Sequence, residues 1–125
     1  ILNNMEKKLH GSKILILGMA YKRDVDDKRE TPAMKIIDLL KQKGAAVEYS
    51  DMHVSRCQGL RHYPDVDMVS VELTEDRLRI ADMVVLVTDH SAFDYAFIAK
   101  HAQCILDTRN AFAQRGIRSP KIWKA

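Results

Sequence analysis

Short apolar runs of strand length alternate along this chain with stretches whose apolar residues recur at helical spacing. The first apolar run is Lys13 to Leu17, and a second one follows at Ala46 to Ser50. Between them, from Pro32 to about Lys43, apolar residues recur at i, i+3, i+4 and i+7, which predicts an amphipathic helix with one buried face. Thr31 is placed to cap the start of this helix and Gly44 to end it. The three elements predict a β-α-β unit, whose crossover is right-handed almost without exception.

The second half of the chain continues this alternation of helices and strands. The predicted elements are a short helix from Thr74 to near Ala81, a buried strand at Met83 to Val87, a helix at Tyr95 to His101, a strand at Cys104 to Leu106 and an edge strand at Lys121 to Trp123. Ser91 and Asp94 have the spacing of a capping box before the second of these helices. Residues 52–69 show no clear period and are predicted to be irregular, with a candidate short strand at residues 68–73.

The order of the elements predicts an α/β fold with an open, mostly parallel sheet and helices on both faces. In such a sheet the carboxyl ends of the strands lie at one edge, and open α/β sheets bind ligands in the crevice there. We therefore expect the segments that follow the four main strands to line one crevice. These segments are Met19 to Glu30, Asp51 to His53, Asp89-His90 and Asp107 to Asn110.

Composition narrows the possible partners of the chain. Its 125 residues are enough for one domain with a substantial core, and its net charge is +3. No long basic run is present, so nucleic acid is not an expected partner. No apolar run approaches the ~20 residues of a membrane span, so no membrane association is expected. Cys57 and Cys104 have neither CxxC nor metal-site spacing and are predicted to be free thiols in a reducing cytoplasm.

The loop after the first strand carries most of the candidate ligand chemistry. It opens with one glycine, Gly18, where a GxGxxG dinucleotide fingerprint needs three, so side chains would have to hold an anion there. Lys22, Arg29 and Arg109 are the available cations, of which arginine suits bidentate phosphate contact and lysine acts as a point charge. The alternative is a solvated loop whose acidic and basic residues neutralise each other. The aspartates of the loop lack the calcium-loop pattern, so no metal site is expected.

Other polar residues directly follow strands. Asp51 is placed either to accept hydrogen bonds from a ribose or to shape a turn. His90 follows an aspartate, but no serine or cysteine nucleophile can be assigned with it, so a turn or a substrate contact is favoured over acid–base chemistry. Asp107 and Asn110 suit a turn. Arg109 adds nothing to a turn and is predicted to bind the ligand.

The first loop and the helix after it resemble a known family. The segment GMAYKRDVDDKRETPAMKIIDLLKQKGAAVEYSD is similar to the opening of the C-terminal domain of the nucleotide-sugar 6-dehydrogenases, which act on UDP-glucose, UDP-N-acetylglucosamine and UDP-N-acetylmannosamine. The family pattern is Gly-x-Ala-aromatic-Lys, an acidic pair and Arg-Glu-Ser/Thr-Pro. This chain has Gly18, Ala20, Tyr21, Lys22, Asp26-Asp27 and Arg29-Glu30-Thr31-Pro32. The later sequences VVLVTDHSAFDY and LDTRN also resemble the family, so the resemblance covers nearly the whole chain.

The resemblance implies a Rossmann-like domain that binds the UDP part of a UDP-sugar. Tyr21 and Lys22 match the aromatic-lysine pair that contacts the nucleotide sugar, and Arg109 falls where the family has a substrate-contacting arginine. Arg29 matches an arginine that approaches the NAD bound by the other nucleotide domain. The DTRN and DHS segments favour the N-acetylhexosamine branch over UDP-glucose.

The resemblance also implies what the whole protein does. The family oxidises the C6 alcohol of the sugar to a carboxylate in two NAD-dependent steps with a cysteine nucleophile, which makes UDP-uronic acids for polysaccharide biosynthesis. Residues 13–125 would be the UDP-binding domain and residues 1–12 the end of an inter-domain linker or helix. The full-length enzyme would be cytoplasmic and a homodimer or larger oligomer.

The chain departs from the family in features that catalysis needs. It lacks the glycine-rich NAD site, and neither Cys57 nor Cys104 has the glycine and proline context of the family's nucleophile. Asp51 is followed by Met52 where the family usually has Asp-Pro. The chain is therefore expected to bind a UDP-sugar as one part of a larger enzyme and not to catalyse alone. The alternative is a free-standing α/β module for ligand binding or interaction.

Overall fold

The structure is a computed structural model that describes residues 10–20, 32–60 and 62–124, with the backbone alone for residues 59 and 60. Its strands are β1 (Lys13–Leu17), β2 (Ala46–Ser50), β3 (Arg56–Leu60), β4 (Tyr63–Val69), β5 (Met83–Leu86), β6 (Ile105–Asp107) and β7 (Ile122–Lys124). Its helices are α1 (Pro32–Gln42), α2 (Glu75–Ile80), α3 (Tyr95–His101) and α4 (Ala111–Gln114). The first two predicted strands are confirmed residue for residue, and the predicted helix between them is confirmed to within one residue at its end.

Five strands form one parallel sheet in the order β2-β1-β5-β6-β7. This arrangement, with helices against the sheet, confirms the predicted α/β, Rossmann-like fold. The chain passes from β1 outwards to β2 and then returns to β5 on the other side of β1. The strand order therefore reverses between β1 and β5. Open α/β sheets bind their ligands beyond the carboxyl ends of the strands at such a point.

Two hydrophobic cores cover the two faces of the sheet, because successive residues of a strand point to opposite sides. Ile14 and Ile16 of β1 pack on one face against the buried side of α1. Leu15 and Leu17 pack on the other face with side chains from α2, α3 and α4, namely Leu78, Ile98 and Phe112. Both faces of the central strands are buried, which explains why their sequences are apolar throughout.

Local sequence signals set the ends of the first two helices. Gly44 follows α1 at φ +87°. Its N–H donates to Lys41 O and the N–H of Ala45 donates to Leu40 O, the paired bonds of a Schellman motif. Thr74 caps α2 as predicted, since its hydroxyl accepts a backbone N–H of the first turn at 3.1 Å. The predicted cap at Thr31 lies outside the described residues.

The two later helices differ from expectation. Helix α3 has the predicted bounds, but its N-cap is Asp94 and not Ser91. The carboxylate of Asp94 accepts the N–H of Phe97 at 3.1 Å. Asp94 therefore acts as the cap itself, whereas the predicted capping box placed it three residues after the cap. Helix α4 is absent from the predicted elements because four residues are too few to display a helical period.

The prediction that residues 52–69 are irregular is wrong. They contain an antiparallel hairpin of β3 and β4. The hairpin covers the core beside α1. Cys57 is fully buried there, and the half-buried Val66 and Met68 pack against the same core. Burial of one face is what holds this two-stranded ribbon in place, because an isolated hairpin is marginally stable in water.

The predicted short strand at residues 68–73 is also wrong, because β4 ends at Val69. Two features hide the hairpin from pattern analysis. The pairing register shifts between Gln58 and Leu60, which interrupts the alternation of buried and exposed residues. Pro64 near the start of β4 reads as a loop signal, although proline is tolerated near the beginning of an outer strand.

Membrane spans, metal sites and the state of the cysteines can be examined in the described residues. In residues 10–20, 32–60 and 62–124, no helix is long and apolar enough to cross a bilayer, and no three His, Cys, Asp or Glu side chains are grouped so as to hold a metal ion. Cys57 and Cys104 are free thiols, as predicted. Burial raises the pKa of the Cys104 thiol.

Gly18 ends β1 at φ +94°, a conformation that glycine adopts without steric cost. A Cβ atom at this position would lie 2.5 Å from Cβ of Thr88 and 2.7 Å from its backbone N. Gly18 is therefore required by its backbone angle and by the close approach of the segment that follows β5.

We expect Gly18→Ala to lower the free energy of unfolding by more than about 3 kcal/mol. A positive φ costs an L-residue roughly 1–2 kcal/mol, and overpacking against Thr88 adds to that cost. Gly116→Ala is the matched control, because Gly116 also has a positive φ, +73°, but nothing within 4 Å would meet its Cβ. Denaturant unfolding of both variants measures the difference, and equal losses would contradict the packing role of Gly18.

Candidate functional site

Hydrogen bonds join the carboxyl ends of the central strands into one cluster. The N–H of Gly18 donates to Ser50 O at 3.0 Å, which ties the end of β1 to the end of β2. The N–H of Val87 donates to Leu17 O at 2.9 Å, which ties the end of β5 to β1. The segment after β6 reaches the same place through Arg109, whose Nε donates to Val87 O at 2.9 Å. The predicted gathering of strand ends at one edge is confirmed for the described residues.

Asp51, the residue after β2, is 1% exposed and forms the centre of this cluster. Its Oδ2 accepts the backbone N–H groups of Met19 at 2.6 Å and Ala20 at 2.9 Å, and lies 2.9 Å from Nε2 of His90. Its Oδ1 accepts the N–H of His53 at 2.7 Å. Both oxygens of this buried carboxylate thus already have hydrogen-bond partners in the protein, which fix the surrounding backbone. The structure therefore supports the turn role of Asp51 over the ribose contact.

The same hydrogen bonds determine the charge of Asp51. Burial by itself would raise the pKa of this carboxyl, but the bonds from His90 and from three backbone N–H groups outweigh burial and lower its pKa to about 2. Because this value lies below the ordinary one of 3.8, the ionised carboxylate stabilises the fold above about pH 4. That stabilisation is lost as the pH falls from about 4 through 2.

His90 is fully buried between the ends of β2 and β5. The centroid of its ring lies 4.5 Å from that of His53 and 5.6 Å from that of Phe93. Its backbone oxygen accepts the hydroxyl of Tyr95 at 2.7 Å, which ties it to the start of α3. A side chain with no exposed surface does not touch a ligand, so the structure supports a turn role for His90 and not a direct substrate contact.

Thr88 is a site residue that sequence analysis missed. Its Oγ1 donates to Ala20 O at 2.6 Å, and both residues are buried. Ala20 is thus held at its N–H by Asp51 and at its carbonyl by Thr88. The only sequence signal for this contact is the lone Gly18, and its meaning depends on knowing that β5 lies next to β1 in the sheet.

Arg109 lies at the solvent side of the cluster with its guanidinium held from one end. Its backbone N–H donates to Asp107 Oδ1 at 3.0 Å, while Nε donates to Val87 O at 2.9 Å. Among the residues that the structure describes, none accepts a hydrogen bond from its two Nη groups. An arginine held in this way presents two parallel N–H donors, the arrangement that suits a phosphate or carboxylate.

Asp107 and Asn110 form the turn that the sequence predicts, although in unequal roles. Asp107 is 2% exposed, and its Oδ2 accepts the N–H of Phe112 at 3.0 Å, so it also caps the start of α4. Asn110 precedes α4 in the left-handed region at φ +58° and its side chain makes no cap bond. The turn therefore fixes the backbone on both sides of Arg109.

Tyr21, Lys22 and Arg29 lie outside the described residues, so their contacts with the nucleotide sugar and with NAD stay predictions. The first described range ends at Ala20, the residue before Tyr21. Ala20 is bonded to Thr88, and Arg109 is bonded to the adjacent Val87. Ala20 and Arg109 are therefore bonded to consecutive residues after β5.

The described end of β1 does not fit the pyrophosphate of NAD. In a dinucleotide site, glycines after the first strand leave space for close approach of the ligand. Here a Cβ atom on Gly18 would lie 2.5 Å from Cβ of Thr88, so protein atoms already fill the space that a ligand would need. The described end of β1 therefore offers no glycine-lined backbone site for an anion, and the prediction that side chains would hold one stays a prediction.

A recess of about 450 Å³ lies towards the amino ends of β1 and β2. Its walls include Lys13, Leu15, Glu48, Arg77 and Ile80. Nη1 of Arg77 is paired with Glu48 Oε2 at 2.7 Å, so a carboxylate already neutralises this guanidinium. Arg109 at the carboxyl edge is bonded to a neutral carbonyl instead. The carboxyl edge is therefore the better candidate for an anionic ligand.

Comparison with known proteins assigns the chain to a family. Residues 15–114 match the family model described as UDP-glucose/GDP-mannose dehydrogenase family, UDP binding domain. The chain belongs to this family. A UDP-N-acetyl-D-mannosamine dehydrogenase of Methanococcus vannielii is 30% identical over 129 residues, covering 97% of this chain and 26% of the relative. The UDP-glucose 6-dehydrogenase AglM of Haloferax volcanii is 30% identical over 110 residues, covering 86% and 25%.

Solved structures of the family have the same fold. An NDP-N-acetyl-D-galactosaminuronic acid dehydrogenase from Methanosarcina mazei Go1 is 28% identical with a TM-score of 0.71, covering 99% of this chain and 26% of that chain. The UDP binding domain thus spans about a quarter of the length of these relatives. The resemblance to the UDP binding domain of the nucleotide-sugar dehydrogenases is confirmed, and it concerns that domain alone.

We expect Asp51→Asn to lower the free energy of unfolding of the UDP binding domain by about 2–4 kcal/mol at pH 7, because an amide cannot accept all the bonds of the buried carboxylate. The variant should also lose less stability than the unaltered chain between pH 5 and pH 2.5. Denaturant unfolding at both pH values measures these effects. Asp65→Asn, on an exposed part of β4, is the control and should change stability by less than about 0.5 kcal/mol. Equal stabilities of the two variants would show that the bonds to Asp51 are weak.

Proposed function

We propose that this chain is the UDP-sugar-binding domain of an NAD-dependent UDP-sugar 6-dehydrogenase, with the UDP moiety at the carboxyl edge of the sheet. Membership of the family supports UDP as the ligand class. The observation that most directly supports the carboxyl edge as the UDP site is the guanidinium of Arg109, which is bonded through Nε to Val87 O. Tyr21 and Lys22 contact the same nucleotide sugar in this proposal.

The anchored guanidinium favours binding for two physical reasons. Its orientation is set before the ligand arrives, so less side-chain entropy is lost when an anion binds. A diphosphate carries several oxygens that can accept the two Nη groups at once, and such paired charge-assisted bonds are stronger than neutral ones. In this proposal Lys22 adds a second positive charge, which a lysine ammonium supplies as a point charge and not as paired donors.

The proposed sugar is an N-acetylhexosamine. The relative from Methanococcus vannielii is named a UDP-N-acetyl-D-mannosamine dehydrogenase, and the structure from Methanosarcina mazei is named an NDP-N-acetyl-D-galactosaminuronic acid dehydrogenase. UDP-glucose is the second candidate, since AglM is named a UDP-glucose 6-dehydrogenase at the same identity of 30%. The product in either case is a UDP-uronic acid.

The domain supplies affinity and position, and other parts of a longer cytoplasmic enzyme supply the reacting groups. UDP is remote from the C6 alcohol of the sugar, so binding energy gathered on UDP places C6 for oxidation. In this proposal NAD and the cysteine nucleophile belong to the other nucleotide domain. The lack of room for a pyrophosphate at the described end of β1 supports this for NAD. Arg29 approaches that NAD from this domain, and the full enzyme is a homodimer or larger oligomer.

We expect the 125-residue chain to bind UDP and Arg109→Ala to weaken that binding by about 10- to 100-fold, the range for loss of charge-assisted hydrogen bonds. Arg109→Lys keeps the charge but loses the paired donors, so its affinity should fall between the two. Isothermal titration calorimetry with UDP in low salt measures all three, and thermal unfolding checks that each variant remains folded.

Arg118→Ala, at another exposed arginine, is the matched control and should bind UDP like the unaltered chain. Absence of UDP binding by the unaltered chain at millimolar concentration would contradict a preformed site. It would favour instead an α/β module that has kept the fold without the ligand. Loss of fold in Arg109→Ala would mean that the arginine is structural.

A further inference from the structure

We infer that copies of this chain associate head to tail, with a basic surface beside β7 of one copy against an acidic surface beside β4 of the next. Both surfaces consist of exposed side chains. The basic surface is Arg118, Trp123 and Lys124, and the acidic surface is Asp65, Val69 and Glu72. The inference goes beyond the proposed function and does not depend on UDP binding.

The first argument is that charge is segregated along the chain, although the net charge is only +3. Residues 108–124 contain basic residues and no acidic one, namely Arg109, Arg115, Arg118, Lys121 and Lys124. Residues 63–76 contain acidic residues and no basic one, namely Asp65, Asp67, Glu72, Glu75 and Asp76. Each segment therefore carries charge of a single sign, and the two signs are opposite.

The second argument is that the fold places the two surfaces at opposite edges of the sheet. β7 is the last strand at one edge and β2 is the last strand at the other. The acidic surface lies on the β2 side, because β4 contacts β2 and the N–H of Val71 donates to Tyr49 O of β2 at 2.8 Å. Four strand spacings of about 4.8 Å put β7 roughly 19 Å from β2, beyond the Debye length of about 8 Å at physiological salt. The two surfaces of one copy thus attract each other weakly, whereas those of two copies can meet directly.

The third argument is that these charges are available to a partner. Within the residues that the structure describes, neither Arg118 nor Lys124 forms an ion pair, and neither do Asp65 and Glu72. Asp67 is different, because its carboxylate is paired with Arg56 at 2.7 Å. For this reason Asp67 is not part of the acidic surface.

The fourth argument is that each surface has an exposed apolar side chain among its charges. Trp123, the single tryptophan of the chain, is 49% exposed, and Val69 is 63% exposed. Trp123 pairs in register with Leu106 but lies outside the core that α1 forms with the central strands. Apolar contacts surrounded by charged residues are the usual anatomy of a protein interface, and tryptophan is enriched among the residues that dominate binding.

The charges also favour a head-to-tail contact over a two-fold one. A two-fold contact of β7 with β7 would bring Arg118 and Lys124 of both copies together, and like charges across an interface are unfavourable. Lysine beside a short edge strand is also a common means of preventing strand-to-strand pairing. A contact between two different surfaces of the same chain is heterologous, so it continues into a ring or an open filament.

The test measures self-association of the 125-residue chain by sedimentation velocity and by the emission of Trp123 over a range of protein concentrations. We expect larger species and a shift of the emission to shorter wavelength as the concentration rises, because Trp123 becomes buried. Raising the salt from about 20 mM to about 500 mM shortens the Debye length from roughly 20 Å to roughly 4 Å and should weaken the association by about tenfold.

Two charge-reversed variants test which surfaces meet. Arg118→Glu with Lys124→Glu makes both surfaces acidic, and Asp65→Lys with Glu72→Lys makes both basic. We expect each variant alone to associate at least about tenfold more weakly than the unaltered chain, and an equimolar mixture of the two to recover the association, because opposite surfaces again face each other. Lys35→Glu, at an exposed position of α1, is the control for a change in net charge and should change the association by less than about twofold.

Three results would overturn the inference. The unaltered chain could remain a monomer at millimolar concentration in low salt. Its association could be unaffected by salt and by both charge-reversed variants. The variants could each lose association without recovering it in the mixture, which would indicate a two-fold contact. Thermal unfolding checks that the variants are folded, and none of their substitutions lies in the proposed UDP site, so each result leaves the proposed function to its own test.

Discussion

The buried carboxylate of Asp51 is the interaction on which the carboxyl edge of this sheet depends. It follows β2, accepts backbone N–H groups from the segment after β1, and lies against His90 from the segment after β5. A charge in a protein interior is tolerated only when donors surround it. The carboxylate therefore fixes the relative positions of three strand ends, and these three ends form the floor of the candidate site.

The topology explains why such a floor serves a ligand at this place. The strand order reverses between β1 and β5, so the next parallel strand lies on opposite sides for the two, β2 beside β1 and β6 beside β5. Gly18 and Thr88 fill the bottom of the gap at contact distance, and Arg109 reaches its solvent side from the end of β6. The described end of β1 thus offers no glycine-lined space for a ligand, in agreement with the single glycine that follows the strand.

Sequence patterns predicted the elements that carry strong local signals and missed those that depend on pairing. The strands β1 and β2 are continuous apolar or alternating runs, and α1 has one apolar stripe and a terminal glycine, so each could be recognised alone. The β3–β4 hairpin could not, because a register shift breaks its alternation and its burial depends on the core beside α1. Arg109 stands out in the sequence because an arginine adds nothing to a turn, and the structure shows its Nε bonded to Val87 O; its contact with a ligand stays a prediction. The bond between Asp51 and His90 joins residues 39 positions apart, and only the order β2-β1-β5 brings them together.

The central claim is that UDP binds at the carboxyl edge of the sheet. The most direct measurement is a titration of the ¹⁵N-labelled 125-residue chain with UDP, followed by the chemical shifts of its backbone amides. The account predicts that the largest changes cluster at Ala20, Thr88 and Arg109 and saturate together. Changes centred on the recess at Lys13, Glu48 and Arg77, or no changes at millimolar UDP, would contradict it.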